Sequence, residues 1–144
     1  MRLIEVNPGR EEHLSALYEL LAERTPEQSI SHKRMPTWDE HVAFVRKMDM
    51  MGGDPESAYA SWDLIEVATV IVGAIYLTQR AEIGISIFAS EQRKGYGTGA
   101  IKLLIGQCKG DGYTLYVNIA PGNEVSRRMF EKLGFKTIQH TMSL

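Results

Sequence analysis

Apolar and polar positions along the chain follow two alternating periods, and each change of period marks an element. Residues 2–6, RLIEV, read as a short strand stopped by the turn-forming Asn7-Pro8-Gly9. From Glu11 to about Glu23, Leu14, Leu17, Leu20 and Leu21 recur at the spacing of an amphipathic helix. The stretch TPEQSISHKRMP breaks that pattern, as a loop does. Thr37-Trp38-Asp39-Glu40 then reads as a capping box, in which hydroxyl and carboxylate satisfy the first free amides of a helix. Behind it Trp38, Val42, Val45 and Met48 form the apolar stripe of a second helix, ended by MGGDPES.

From residue 58 the period becomes two. AYASWDLIEV, TVIVGAIYLTQ and AEIGISIFA are three strand-like runs with very short separators, so they should pair as an antiparallel meander. The middle run is apolar on both faces, as a covered central strand would be. In the third, Ile83, Ile85 and Ile87 share one face, and Glu82, Gly84, Ser86 and Phe88 the other. Ile101, Leu104, Ile105 and Cys108 mark a third helix ending near Gly110, and YTLYVNI alternates as a strand. Asn123 can cap a fourth helix that carries Val125, Met129, Phe130 and Leu133, with Gly134 as its left-handed end. FKTIQHTMSL is expected to make a last strand. The order βααβββαβαβ implies α+β, with helices packed on a mostly antiparallel sheet in a single domain, 1–144.

Composition narrows the function classes. The chain has 144 residues and a net charge of −2, so no global basic field gathers nucleic acid or anionic lipid. Anion binding must be local. Its one cysteine, Cys108, excludes an internal disulfide and agrees with a reducing cytoplasm. No signal peptide and no long apolar run is visible, so the expected location is cytoplasmic, with no membrane partner.

One junction concentrates candidate chemistry. In Gln92-Arg93-Lys94-Gly95-Tyr96-Gly97-Thr98-Gly99 a strand delivers the chain to a helix through glycines and two cations. Free amides at a helix N-terminus, together with its partial positive charge, attract an anion. Glycine removes the β-carbon that would hold a phosphate away, and it permits positive φ. Arg93 and Lys94 add charge and Thr98 a hydroxyl, so the junction reads as a pyrophosphate cradle. The bland alternative is a glycine-rich turn with solvated charges. A Walker A loop does not fit, because the lysine precedes the glycines. A dinucleotide fingerprint fails too, because Ala100 stands at the third glycine and the strands upstream are antiparallel.

With its flanks the junction resembles the acyl-CoA-binding motif of the GNAT superfamily of N-acetyltransferases, Gln/Arg-x-x-Gly-x-Gly/Ala, matched by Gln92, Gly95 and Gly97. NIAPGNEVSRRMFEKLGF resembles that family's strand, Asn-bearing turn, helix and closing Leu-Gly-Phe, and the element order extends the likeness over nearly the whole chain. The resemblance implies a twisted, mixed, mostly antiparallel sheet whose fourth and fifth strands splay to admit pantetheine. It implies acetyl-CoA as cosubstrate and no metal. Pyrophosphate would lie on the amides of Arg93, Lys94, Gly95, Tyr96, Gly97 and Thr98. Backbone groups of Ile87, Phe88 and Ala89 would bond the pantetheine arm. Asn123 matches an Asn that contacts the same arm, and it reads equally as a plain helix cap.

The implied reaction is acetyl transfer to a primary amine by direct attack through a tetrahedral intermediate. An alkyl amine is only about 0.04% neutral at pH 7, so a general base is useful and an oxyanion donor is needed. Glu82 is the first candidate base, against the alternative of an exposed strand-end Glu; His32 and His41 flank the acceptor-covering segment and read as surface residues. The Tyr that protonates the departing thiolate in the family is Phe130 here, which leaves Tyr116, Tyr113, a water or unassisted departure. Acceptor selectivity should lie in TPEQSISHKRMPTW and around Met50 to Ser57. His32-Lys33-Arg34 would suit an anionic acceptor such as a nucleotide-linked amino sugar. A peptide N-terminus and an aminoglycoside are the other acceptors weighed. A non-catalytic acyl-CoA-binding module and a general nucleotide-phosphate binder are the competing classes, and a homodimer is left open.

Overall fold

The structure is a computed structural model that describes residues 1–24, 34–49, 59–110, 112 and 114–144. Residues 25–33, with His32 and Lys33, residues 50–58, Asp111 and Tyr113 lie outside the described residues.

Five strands form one sheet in the order β1 (Arg2–Glu5), β2 (Tyr59–Val67), β3 (Val70–Thr78), β4 (Glu82–Ile87) and β5 (Tyr116–Val117). The first three pairings are antiparallel, and β4 with β5 is parallel. The meander is thus as the alternation predicts. Its β2–β3 corner is closed by Ala68 and Thr69, both at positive φ, 48° and 67°, the twist that a two-residue hairpin loop demands. β4 pairs with β3 from Ile83 to Ile87 but with β5 only through Glu82↔Tyr116 and Ile83↔Val117. Beyond Ile83 the two parallel strands are no longer paired, so the sheet opens toward the C-terminal end of β4.

Each face of the sheet has its own core. Helices α1 (Glu11–Ala22) and α2 (Trp38–Asp49) cover one, where Leu14, Leu17, Leu20 and Val45 pack on Leu64 and Ala74. Helices α3 (Tyr96–Gln107) and α4 (Glu124–Lys132) cover the other, where Ala100, Ile101, Leu104 and Phe130 pack on Ile65, Val72, Ile75 and Ile83. β3 is buried from Val72 through Ile75 because it feeds both cores. The α2 capping box is present: the Glu40 amide donates to Thr37 Oγ1 at 3.2 Å and the Thr37 amide to the Glu40 carboxylate at 3.3 Å.

Three expectations need correction. Residues 135–144 form no strand, and 137–144 are exposed throughout. Their alternation alone does not provide a partner edge, and a strand exists only when paired. Val125 on α4 is 78% exposed, because the apolar face of that helix is carried by Met129, Phe130 and Leu133. Among the described residues of YTLYVNI, the expected strand is regular only at Tyr116 and Val117.

Candidate active site

The glycine junction sits where the sheet opens. After β4, a 3₁₀ turn at Ala89–Glu91 leads into Arg93 at φ 64° and Gly95 at φ 81°, and α3 starts at Tyr96. Gly95 is the N-cap and has no side chain to cap the helix, unlike α2 with Thr37 or α4 with Asn123. The first bond of α3 runs from the Gly99 amide to the Gly95 carbonyl at 3.1 Å. Among the described residues nothing accepts from the amides of Tyr96, Gly97 or Thr98. That is the anion-binding arrangement of a bare helix N-terminus.

The glycines serve different purposes. Only Gly95 uses positive φ. A β-carbon on Gly97 would meet Met129 Sδ at 3.0 Å and Ile87 Cγ1 at 3.7 Å, and one on Gly99 would meet Met1 Sδ at 3.0 Å. Gly97 therefore lets α3 approach α4 at the open end of β4, a reason that spacing alone does not reveal. Lys94 is paired with Glu91 at 2.9 Å, and its ammonium pKa is raised by that bond. Gln92 turns back and donates to the Ile87 carbonyl at 3.1 Å. The Phe88 amide donates to Val72 at 2.9 Å and the Ala89 amide to the Glu23 carboxylate at 2.8 Å. In this state two of the backbone donors expected to face pantetheine are occupied by the protein.

Asn123 caps α4: its Oδ1 accepts from the Ser126 amide at 3.2 Å. Glu82 and Tyr116 stand opposite each other in the short parallel ladder, so their side chains share a face. Glu82 is half-buried and Tyr116 is 42% exposed. Phe130 is 1% exposed and meets Phe135 edge-on with ring centroids 5.1 Å apart, which makes it a core residue with no access to a leaving group.

On the α1–α2 face a cavity of about 490 Å³ opens beside the C-terminal half of β4. Leu17, Leu20 and Leu21 form one wall, and Phe44, Tyr59, Trp62 and Tyr76 another. Tyr59 stacks on Tyr76 at 4.3 Å and meets Trp62 edge-on at 4.9 Å. Gly84 permits this wall, since a β-carbon there would fall inside the Tyr76 ring. Burial, reinforced by neighbouring Tyr76, pushes the Tyr59 phenol far above its ordinary value. The polar lining comprises Arg24, Arg34, Glu40, His41 and Ser86. Arg34 and Glu40 pair at 3.2 Å, and Arg24 reaches across to Ser86 Oγ.

His41 overturns the expectation of a surface residue. It is 2% exposed and in ring contact with Tyr18 and Trp38. Its Nε2 lies 2.9 Å from the Leu14 carbonyl, so Nε2 carries the proton and Nδ1 is a bare acceptor. Burial holds its pKa below the usual value, and Nδ1 has no partner among the described residues. Sequence reasoning missed the cavity because α1, α2 and three strands supply it together. The one readable sign was His41 between Trp38 and Val45, on the inward face of the second helix.

No group of three or more potential metal ligands occurs among the described residues, and no described helix is long and apolar enough to cross a membrane. The acetyltransferase (GNAT) domain model matches residues 2–136. No curated protein sequence matches the chain significantly. Among solved structures, an N-acetyltransferase from Staphylococcus aureus Mu50 is 20% identical, with TM-score 0.72 over 94% of this chain and 82% of that one. Mutant forms of the spermidine/spermine N-acetyltransferase SpeG from Vibrio cholerae are 18% identical, with TM-score 0.73 over 96% and 81%. The yncA structure from Salmonella typhimurium, which holds acetyl-CoA, is 17% identical, with TM-score 0.66 over 94% and 79%. With a family match over nearly its whole length and the corresponding fold, the chain belongs to the GNAT family of acetyl-CoA-dependent N-acetyltransferases.

Proposed function

We propose that this protein acetylates the primary amine of a small molecule held in the cavity between α1, α2 and β4. The observation that carries the reading is the relation of two features. The uncapped N-terminus of α3 and the cavity wall at Ser86 flank the same end of β4, where the sheet has opened. Acetyl-CoA, when bound, supplies an activated acyl carbon. The amides of Tyr96, Gly97 and Thr98 with Arg93 would hold its pyrophosphate, and Ile87, Phe88 and Ala89 would line its arm. Those residues fit the group: the amides are free among the described residues, Gly95 leaves the approach open, and Arg93 adjoins Gly95 in sequence.

Glu82 is the proposed base, which removes the proton from the incoming amine directly or through water. Tyr116, its registered neighbour, is the proposed proton donor, since Phe130 is a core residue. The cavity's apolar and aromatic walls favour an acceptor with an apolar body over a sugar. Arg34, the described member of the basic cluster, is already paired with Glu40, which weakens the case for a nucleotide-linked amino sugar. A cytoplasmic location, where Cys108 stays reduced, fits this role.

Thermal unfolding with acetyl-CoA, CoA and ATP at equal concentrations, followed by an amine panel, tests the reading. At a hundredfold excess over its dissociation constant acetyl-CoA should add about 2.7 kcal/mol, a shift of several degrees, with little from ATP. A Glu82→Gln protein should bind acetyl-CoA normally and lose rate chiefly at low pH. A shift by acetyl-CoA without turnover of any amine would leave a binding module instead.

A further inference from the structure

Arg24, two residues beyond α1, is the one cavity cation with no carboxylate partner among the described residues. Its Nη2 donates to Ser86 Oγ at 2.7 Å and its Nε to the same oxygen at 3.2 Å. A guanidinium has five N–H donors in a planar fork, so donors remain beyond those two. The other charged groups of the lining are accounted for, because Arg34 and Glu40 neutralise each other at the mouth. Glu23, next to Arg24 in sequence, gives its carboxylate to the Ala89 amide. The Arg24 charge is felt inside the cavity, where it works against burial at the Tyr59 phenol. Among the described residues the lining therefore carries one positive charge without a carboxylate counterpart, held against β4 by a neutral hydroxyl.

Position sharpens the chemistry. Ser86 pairs with Ala74 on the cavity face and directly precedes Ile87, where the acyl donor's arm is expected. An anion at Arg24 thus lies beside the reacting end of the cavity, away from its mouth. In a free α-amino acid a single carbon separates the amine from the carboxylate. In a sugar phosphate or a polyamine the nearest comparable charge is several bonds away or has the wrong sign. We infer that the acceptor is a free α-amino acid with an apolar or aromatic side chain, its carboxylate read by Arg24 at Ser86 and its side chain lying between the leucine and aromatic walls. This rests on the proposal that the cavity receives the acceptor. Arg24 is then a specificity-determining residue, and Ser86 positions it.

The test compares phenylalanine with phenethylamine and leucine with isoamylamine, pairs that differ by the carboxylate; because the amino acids carry the less basic amine, rates are compared per neutral amine. Glucosamine 6-phosphate with glucosamine, and spermidine, complete the panel. Binding in the presence of CoA is read from tryptophan fluorescence, since Trp62 lines the cavity and Trp38 touches His41; turnover is read from released thiol. Wild-type protein should favour each amino acid over its decarboxylated amine by roughly 10- to 100-fold, the range of a hydrogen-bonded charge pair. Arg24→Gln should abolish that ratio and leave KM for acetyl-CoA unchanged, and Arg24→Lys should restore part of it. Equal or better use of the decarboxylated amines overturns the inference, as does a ratio that survives in Arg24→Gln. A preference for glucosamine 6-phosphate or spermidine over both amino acids also overturns it. Phe44→Trp, which narrows the cavity without touching Arg24, separates the two levels of failure. If it raises KM for an accepted amine while Arg24→Gln does not, only the acid reading falls. If neither changes KM, or no compound is bound or acetylated, the cavity reading falls as well.

Discussion

His13 and His41 show how a residue's place in the fold decides its chemistry. His13 is 3% exposed, and its Nδ1 accepts from the Asn7 amide at 3.0 Å; His41 Nε2 donates to Leu14. Desolvation lowers both pKa values below the ordinary 6.5. The unfolded chain therefore takes up these protons first, and stability must fall as pH drops through about 6.5 toward the lower folded values. Melting temperature should decrease between pH 7.5 and 5.5, and His41→Gln should flatten that slope. Phe130 gives a second prediction at this scale. Restoring the family's hydroxyl with Phe130→Tyr should destabilise by roughly 1–3 kcal/mol, because the group would be buried without a partner. It should not accelerate turnover; a faster enzyme would return the proton-donor role to this position.

Among the elements, the contrast between helix starts carries the functional signal. α2 and α4 are closed by Thr37 and Asn123. α1 also lacks a side-chain cap, but Glu11 and Glu12 in its first turn repel an anion. By contrast, α3 begins at a left-handed glycine with no acidic residue in its first turn and with amides that are free among the described residues. Asn123→Ala should cost about 1 kcal/mol by urea unfolding, as an N-cap does, with little change in acetyl-CoA affinity if capping is its whole role. Arg93→Gln should do the reverse, leaving the free protein's melting temperature unchanged and weakening acetyl-CoA roughly tenfold. Calorimetric titration of both variants gives the comparison. Helix stripes, the capping box, the Asn123 cap and the Gly134 end, at φ 96° with the Phe135 amide bonded to Phe130 at 3.0 Å, were legible in sequence because they depend on neighbours a few residues away. The final strand was misread because a strand depends on an edge elsewhere in the chain.

For the whole molecule, the parting of β4 and β5 brings the α3 amides and the cavity to one end of the sheet. Hydrogen exchange should report it: acetyl-CoA should slow the amides of Tyr96, Gly97 and Thr98 and leave those of the Thr37-capped α2 start unchanged. Equal protection of both helix starts would argue for general stiffening. The amino-acid sequence by itself determined the element order as far as α4, the glycine junction, the family and the cofactor class, since those rest on local periodicity and on contiguous motifs. Only the tertiary structure decided that His41 is buried, that Gly97 lets Met129 pack against α3, and that Arg24 meets Ser86 across 62 positions. Such contacts join segments distant in the chain, and burial, which sets their energies, exists only once both sides of the sheet are covered.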